Sequence, residues 1–316
     1  MSRSPAYPTP AGPTPENSPE LRALLSARSA RFGDGLQAVI LYGSCLRSGD
    51  LTEGLVDLYA LVDPTPQAEP RALLRLAGRI LPPNVYYLEA MSGDEILRCK
   101  YAVLSLAQFE RGTSARWFQS YLWGRFDQPV KVVWTQDDRI MTRLDAAFFQ
   151  AGETLLRRSL PALPPEGRVD DLWQEALALS YGTELRAERQ GRSAELVAQG
   201  RPFFGAMTQA LRPRLGNLLQ IDTADDGSLL YRARIPRHTR RLAPLLWGLR
   251  RMQGKTLSLA RLVKALFTFE GGLDYIAWKL TRHSGQVVEN PDKVRRRPLL
   301  HIWGFCWQLY RRGVFR

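Results

Sequence analysis

The sequence predicts an α/β domain followed by a mostly helical domain and a basic, amphipathic helical segment at the C-terminal end. Three observations carry this. Short apolar runs of strand length alternate with helical apolar spacing over the first ~135 residues. From residue 138 onward the spacing becomes helical almost throughout. The charge is split along the chain: residues 231–316 hold 19 Lys/Arg against 4 Asp/Glu, a balance of +15, while the preceding 230 hold 25 against 27.

Residues 1–19 contain six prolines and few apolar side chains, the composition of a disordered tail. A helix is expected over 19–32, where Leu21, Leu24 and Leu25 share a face and Ser18 stands at the cap position. Residues 36–42 and 55–62 read as buried strands, the first running into Gly43-Ser44 and the second ending at Asp63-Pro64. A helix over 68–80 closes at Pro82-Pro83; strands follow at 84–91 and 100–105, a helix at 106–124 and a short strand at 129–134. These elements place an α/β domain at 20–135. Residues 138–199 read as helices interrupted by Pro161, Pro164 and Pro165, followed by a helix at 201–218 and a short strand at 228–234. Helices with one small hairpin suit a winged-helix-like domain over 136–230. In the remaining segment, 231–316, residues 256–269 form a basic amphipathic helix. Trp247, Trp278, Trp303 and Trp307 interleave with Arg and Lys, the composition of helices that lie in a membrane interface.

Composition also excludes classes. The longest strongly apolar stretch, 299–310, contains His301 and Gln308 and falls well short of the ~20 residues a spanning helix needs. The N-terminal residues lack the apolar core of a secretory signal. Cys45, Cys99 and Cys306 are too widely spaced for a disulfide framework or a metal-binding set, so a reducing cytoplasm is expected. The net charge of +13 and its position point to a polyanionic partner, either a nucleic acid or an acidic lipid surface.

The segment richest in chemical information runs Leu41-Tyr42-Gly43-Ser44, with Asp57 following 13 positions beyond the serine on the next strand. Gly43 lets backbone N–H groups approach a triphosphate without a Cβ in the way, and Ser44 adds a hydroxyl donor. Asp57 is a candidate ligand for Mg²⁺, which would neutralise the triphosphate and the departing pyrophosphate. This layout resembles the nucleotidyltransferase superfamily and implies a nucleotidyltransferase fold for 20–135. Typical members carry Asp-x-Asp where this chain has Asp57-Leu58-Tyr59. Either other ligands complete the metal site or the site is inactive.

Five stretches carry a closer likeness: Tyr42-Gly43-Ser44 again, Val85-Tyr86-Tyr87, Lys100-Tyr101-Ala102-Val103, residues 121–131 and residues 179–186. Their order and spacing resemble the mitochondrial-type (translocator-maintenance) phosphatidate cytidylyltransferases, which are peripheral CDP-diacylglycerol synthases. The resemblance implies transfer of a cytidylyl group from CTP to phosphatidic acid, giving CDP-diacylglycerol and pyrophosphate. It would occur at the inner face of the cell membrane, with residues 231–316 on the anionic lipid surface. The acceptor phosphate is already anionic at neutral pH, its second pKa being ~6, so the site needs cations more than a base. Lys100 and Lys131 are the implied phosphate contacts, and Tyr42 and Tyr87 line the nucleotide pocket. Glu184 would supply the missing metal carboxylate, and Arg186 would clamp a phosphate. The competing reading is a catalytically degenerate nucleotidyltransferase-fold protein that binds nucleic acid through its basic segment.

Overall fold

A computed structural model describes residues 7–52, 54–63, 72–185 and 191–268. The α/β part is built on a five-stranded sheet of order β3-β4-β2-β1-β5, comprising β1 (Leu36–Tyr42), β2 (Val56–Val62), β3 (Asn84–Ser92), β4 (Glu95–Ser105) and β5 (Lys131–Thr135). Only β2 and β4 run parallel; the other neighbours are antiparallel. β1 and β2 are apolar on both faces because both faces are covered. Helix α1 (Pro19–Phe32) brings Leu21, Leu24 and Leu25 to one face, where they meet Val39, Leu41, Leu58 and Tyr101. Ser18 Oγ accepts from the Leu21 amide at 3.1 Å, as its cap position predicts. The other face carries Ala38, Ile40, Tyr59, Ala102 and Leu104 against α4 (Leu106–Thr113) and α5 (Asp138–Ser159).

Three local expectations change. The helix expected over 106–124 stops at Thr113: Ser114 turns extended, its hydroxyl donates to the Arg111 carbonyl at 2.8 Å, and Leu122, Trp123 and Phe126 fold back into the core. The strand expected at 100–105 begins at Glu95 and forms a hairpin with β3. The tail expected to be disordered over 1–19 is laid down on the molecule from Tyr7 onward. Tyr7 is 6% exposed, its ring lies 4.7 Å from that of Phe148, and its hydroxyl donates to the Gln128 carbonyl at 3.1 Å. Proline-rich composition speaks against a core of its own but not against one aromatic anchor docking on a neighbour's.

The second part comprises α5, α6 (Val169–Tyr181), α7 (Arg192–Gln199) and α8 (Arg201–Leu215). A small antiparallel sheet accompanies them, of order β6-β8-β7, from β6 (Glu166–Arg168), β7 (Leu219–Thr223) and β8 (Leu229–Ala233). One apolar cluster runs from the large sheet through Phe148 and Leu155 to Trp173, Phe204 and Trp247. The boundary expected at 135/136 is therefore crossed by a shared core. The final described element, α9 (Arg237–Thr268), is a single 32-residue helix, beginning well before the helix expected from 256.

Helix α9 packs through an unusual inner face. Trp247 is 2% exposed and donates its indole N–H to the Arg158 carbonyl at 3.1 Å. Arg250 Nε donates to the Phe118 carbonyl at 3.1 Å. A Cβ at Gly254 would run into the Thr183 carbonyl, so glycine is what allows the close approach. Further along, Arg261 donates to the Pro82 carbonyl and to Gln119 Oε1, at 3.1 and 3.0 Å. Lys264 Nζ donates to the carbonyls of Leu81 and Pro83 and to Asn84 Oδ1. Trp247, expected on a membrane-facing segment, is thus a core residue, while Trp278, Trp303 and Trp307 lie outside the described residues.

Candidate active site

The register of the large sheet brings four of the expected site residues into one row. Tyr87 pairs with Lys100, Lys100 with Asp57, and Asp57 with Tyr42, on four successive strands. Paired residues on adjacent strands share a face, so the row lies on the face that carries Tyr59 and Ala102. Lys100 Nζ stands 3.5 Å from Asp57 Oδ1, both side chains being partly exposed. Gly43 directly follows the row at the exit of β1, with φ of 89°, a conformation that favours glycine. A Cβ there would stand 3.0 Å from Asp57 Oδ2, so the same glycine lets the backbone close over the carboxylate. Ser44 opens the short helix α2 (Ser44–Ser48) and is exposed. Tyr87 is half-buried, and its hydroxyl donates to Glu89 Oε1 at 2.7 Å.

Behind Tyr42 lies Arg125, which sequence alone reads equally as a helix-end cation or a ligand contact. Arg125 donates to Glu184 Oε2 at 2.8 Å, and the two side chains are only 11% and 10% exposed. Its guanidinium stacks 4.5 Å from the centre of the Tyr121 ring and meets the Tyr42 hydroxyl. Tyr59, where a second aspartate was looked for, packs 5.1 Å from Tyr42 and 4.8 Å from Phe126. Burial works against the charge on Arg125, yet Glu184, Tyr59, Tyr121 and Tyr42 hold it well above its ordinary pKa. Burial pushes the Tyr42 phenol far above the usual tyrosine range, with Asp57 adding to the shift. Tyr121 goes the other way: against the effect of burial, Arg125 and Arg261 bring it below the ordinary tyrosine value. Arg261 reaches that ring from α9, 3.9 Å from its centre.

Two expected roles change in this arrangement. Lys131 pairs with Leu41 rather than with the row, and so emerges on the opposite face of the sheet. Its Nζ donates to the Gly12 carbonyl at 2.7 Å, so it anchors the N-terminal strap. Glu184, offered as a metal carboxylate, is instead the counter-ion of Arg125; a metal there would have to displace a nearly buried guanidinium. Arg186 lies outside the described residues. Among the described residues no group of three or more His, Cys, Asp or Glu is placed to hold a metal. Asp57 fits the lesser demand of an ion such as Mg²⁺, which is commonly held by one carboxylate together with substrate phosphates and water. Its Oδ1 is buried and has no hydrogen-bond partner.

The molecule thus belongs to the α/β class, with a mixed five-stranded sheet and an acidic–basic row at one end of it. No protein-family model matches the chain, and no curated protein does. Among solved structures it is similar to a nucleotidyltransferase-like protein from Exiguobacterium sibiricum 255-15, at 10% identity and a TM-score of 0.26. The match covers 68% of this chain and 99% of that one.

Proposed function

We propose that the chain is a nucleotidyltransferase that transfers a cytidylyl group from CTP to phosphatidic acid, forming CDP-diacylglycerol and releasing pyrophosphate. The observation that supports this best is the row Tyr87–Lys100–Asp57–Tyr42, in register beneath the Gly43 turn. The choice of cytidine and of phosphatidate comes from the sequence resemblance. The row and Arg125 speak for the reaction type.

The reaction joins two anions. A phosphatidate oxygen attacks the α-phosphorus in line, a new P–O bond forms, and the bond to the β-phosphate breaks with its electron pair leaving on pyrophosphate. The nucleophile carries its negative charge beforehand, so no side chain has to remove a proton in this step. The chain's task is to hold like charges together and to offset charge that grows on the leaving group. Lys100 is the partly exposed cation of the row. Arg125, fixed by Glu184 and walled by tyrosines, is a preorganised one, in keeping with a superfamily-like site whose second carboxylate has become Tyr59. Gly43 leaves room for the phosphates beside Asp57. A divalent ion held by Asp57 and the phosphates would add further charge neutralisation.

The test is direct. Purified protein is incubated with CTP, Mg²⁺ and phosphatidate-containing vesicles, and lipid products are read by mass spectrometry. CDP-diacylglycerol is expected, with CTP preferred over ATP, GTP and UTP. Absence of product with every nucleotide, together with nucleic-acid binding that weakens steeply with salt, would replace this reading by the degenerate one.

A further inference from the structure

We propose that the outward face of α9 is a docking surface for an anionic lipid bilayer. The inner face of this helix is already engaged, through Trp247, Arg250, Gly254, Arg261 and Lys264. The opposite side presents Leu242, Leu245, Leu249, Met252, Leu259 and Leu262, each between 41% and 65% exposed. Leu242, Leu245, Leu249 and Met252 follow one another at spacings of three, four and three, and Leu259 and Leu262 resume the stripe seven residues, two turns, further on. Single exposed leucines are ordinary, but five leucines and Met252 on one side of a 32-residue helix, interrupted at Lys255 and Thr256, make a larger apolar surface than chance scatter.

Charge selects the occupant. Residues 237–268 contain eight Lys/Arg and no Asp/Glu. Arg241, Arg251 and Lys255, all exposed, lie among and beside the stripe residues in sequence. A second copy would bring two acid-free helices together, with no opposite charges to set the pair. Residues 269–316 hold nine Lys/Arg against four Asp/Glu and would also meet like charge. A nucleic acid would satisfy the cations but offers nothing apolar to the leucines. An interface of anionic head groups over acyl chains satisfies both, with leucines entering the acyl boundary and the basic side chains reaching the head groups. The membrane contact therefore runs through the leucines of α9, with Trp247 turned inward. This deepens the reading of a lipid-borne acceptor and rests on it only for the purpose of docking.

The experiment uses the full chain and sedimentation with vesicles of phosphatidylcholine alone or mixed with phosphatidylglycerol, neither of which is the acceptor. Binding to the mixed vesicles is expected to exceed binding to phosphatidylcholine by tenfold or more, since each basic residue near an anionic surface contributes about fivefold. Leu245→Gln with Leu249→Gln, at exposed positions, should lower it by about tenfold or more. Arg251→Gln with Lys255→Gln should abolish most of the preference for anionic lipid. Unchanged melting temperature and unchanged turnover of detergent-dispersed phosphatidate serve as folding controls. Sedimentation by the leucine pair variant equal to that of the unaltered chain overturns the proposal. So does a solution dimer that the same pair converts to monomer, because the stripe is then a contact between copies. Vesicle binding without turnover even in detergent leaves the docking surface standing and removes the catalytic reading instead.

Discussion

Asp127 is wholly buried, and neither of its carboxylate oxygens has a hydrogen-bond partner. Burial pushes its pKa well above the usual carboxylate range, so folding favours the protonated form. The sign of the linkage follows. Below the unfolded-state pKa, near 4, both states hold the proton and folding incurs no cost from it. As pH rises through the unfolded-state pKa, the unfolded chain releases the proton more readily than the folded one, and stability falls. Asp127→Asn is therefore expected to be more stable than the unaltered chain at pH 7, by on the order of 1 kcal/mol, with the gap closing toward pH 4. Denaturant melts at the two pH values check this; a gap independent of pH would contradict it. The two lysines give a second residue-scale test. Lys100 stands on the Asp57 face and Lys131 on the other. Lys100→Met should lower kcat/KM by about 100-fold, the scale of losing one preorganised charge contact, whereas Lys131→Met should leave it within threefold, about 0.6 kcal/mol. Glu184→Gln should lower stability by about 3 kcal/mol, since it leaves Arg125 nearly buried without its counter-ion. A role as metal ligand alone would show instead as a changed metal requirement in an otherwise stable protein.

At the scale of elements, α9 depends on how closely its middle approaches the body. Gly254→Val would push the helix away from Thr183, and a loss of about 2 kcal/mol is expected, the range of overpacking. Thermal melting and faster proteolysis within 237–268 would report it; an unaltered melt would show that the contact is not tight. The elements also show what was legible beforehand. β1, β2 and α1 could be read because short apolar runs and leucines at helical spacing leave few alternatives. Gly43 and Asp57 were legible as site residues because a Gly-Ser pair at a strand exit, with an aspartate 13 positions on in the next strand, is a nucleotidyltransferase layout, and Tyr42 and Lys100 because they stand in stretches that carry the family resemblance. Their alignment was not, because register depends on pairings between residues distant in sequence. Lys131 illustrates the cost: one position along β5 decides which face a side chain takes. Arg125 stayed open between a helix-end cation and a ligand contact because its partner, Glu184, lies 59 residues away. Tyr7 was missed because composition describes a segment's average, and docking needs only one aromatic.

For the whole molecule, the charge asymmetry gains a definite geometry within the described residues. No described helix is long and apolar enough to cross a membrane, and α9 offers a leucine stripe beside basic side chains along its length. The sheet meanwhile gathers Asp57, Lys100, Tyr42 and Arg125 at the end where Gly43 turns. One cluster of apolar side chains connects the sheet to Trp247 on α9, so the candidate site and the helix are parts of one packed body. The measurement that bears most directly on the central claim compares the unaltered chain with Asp57→Ala, on vesicles containing phosphatidate, with CTP and Mg²⁺. Both proteins should sediment with the vesicles to the same extent. Only the unaltered chain should form CDP-diacylglycerol, with Asp57→Ala at least 100-fold slower, a loss of about 2.7 kcal/mol in transition-state stabilisation. Equal rates of product formation by the two proteins would remove Asp57 and its row from the chemistry.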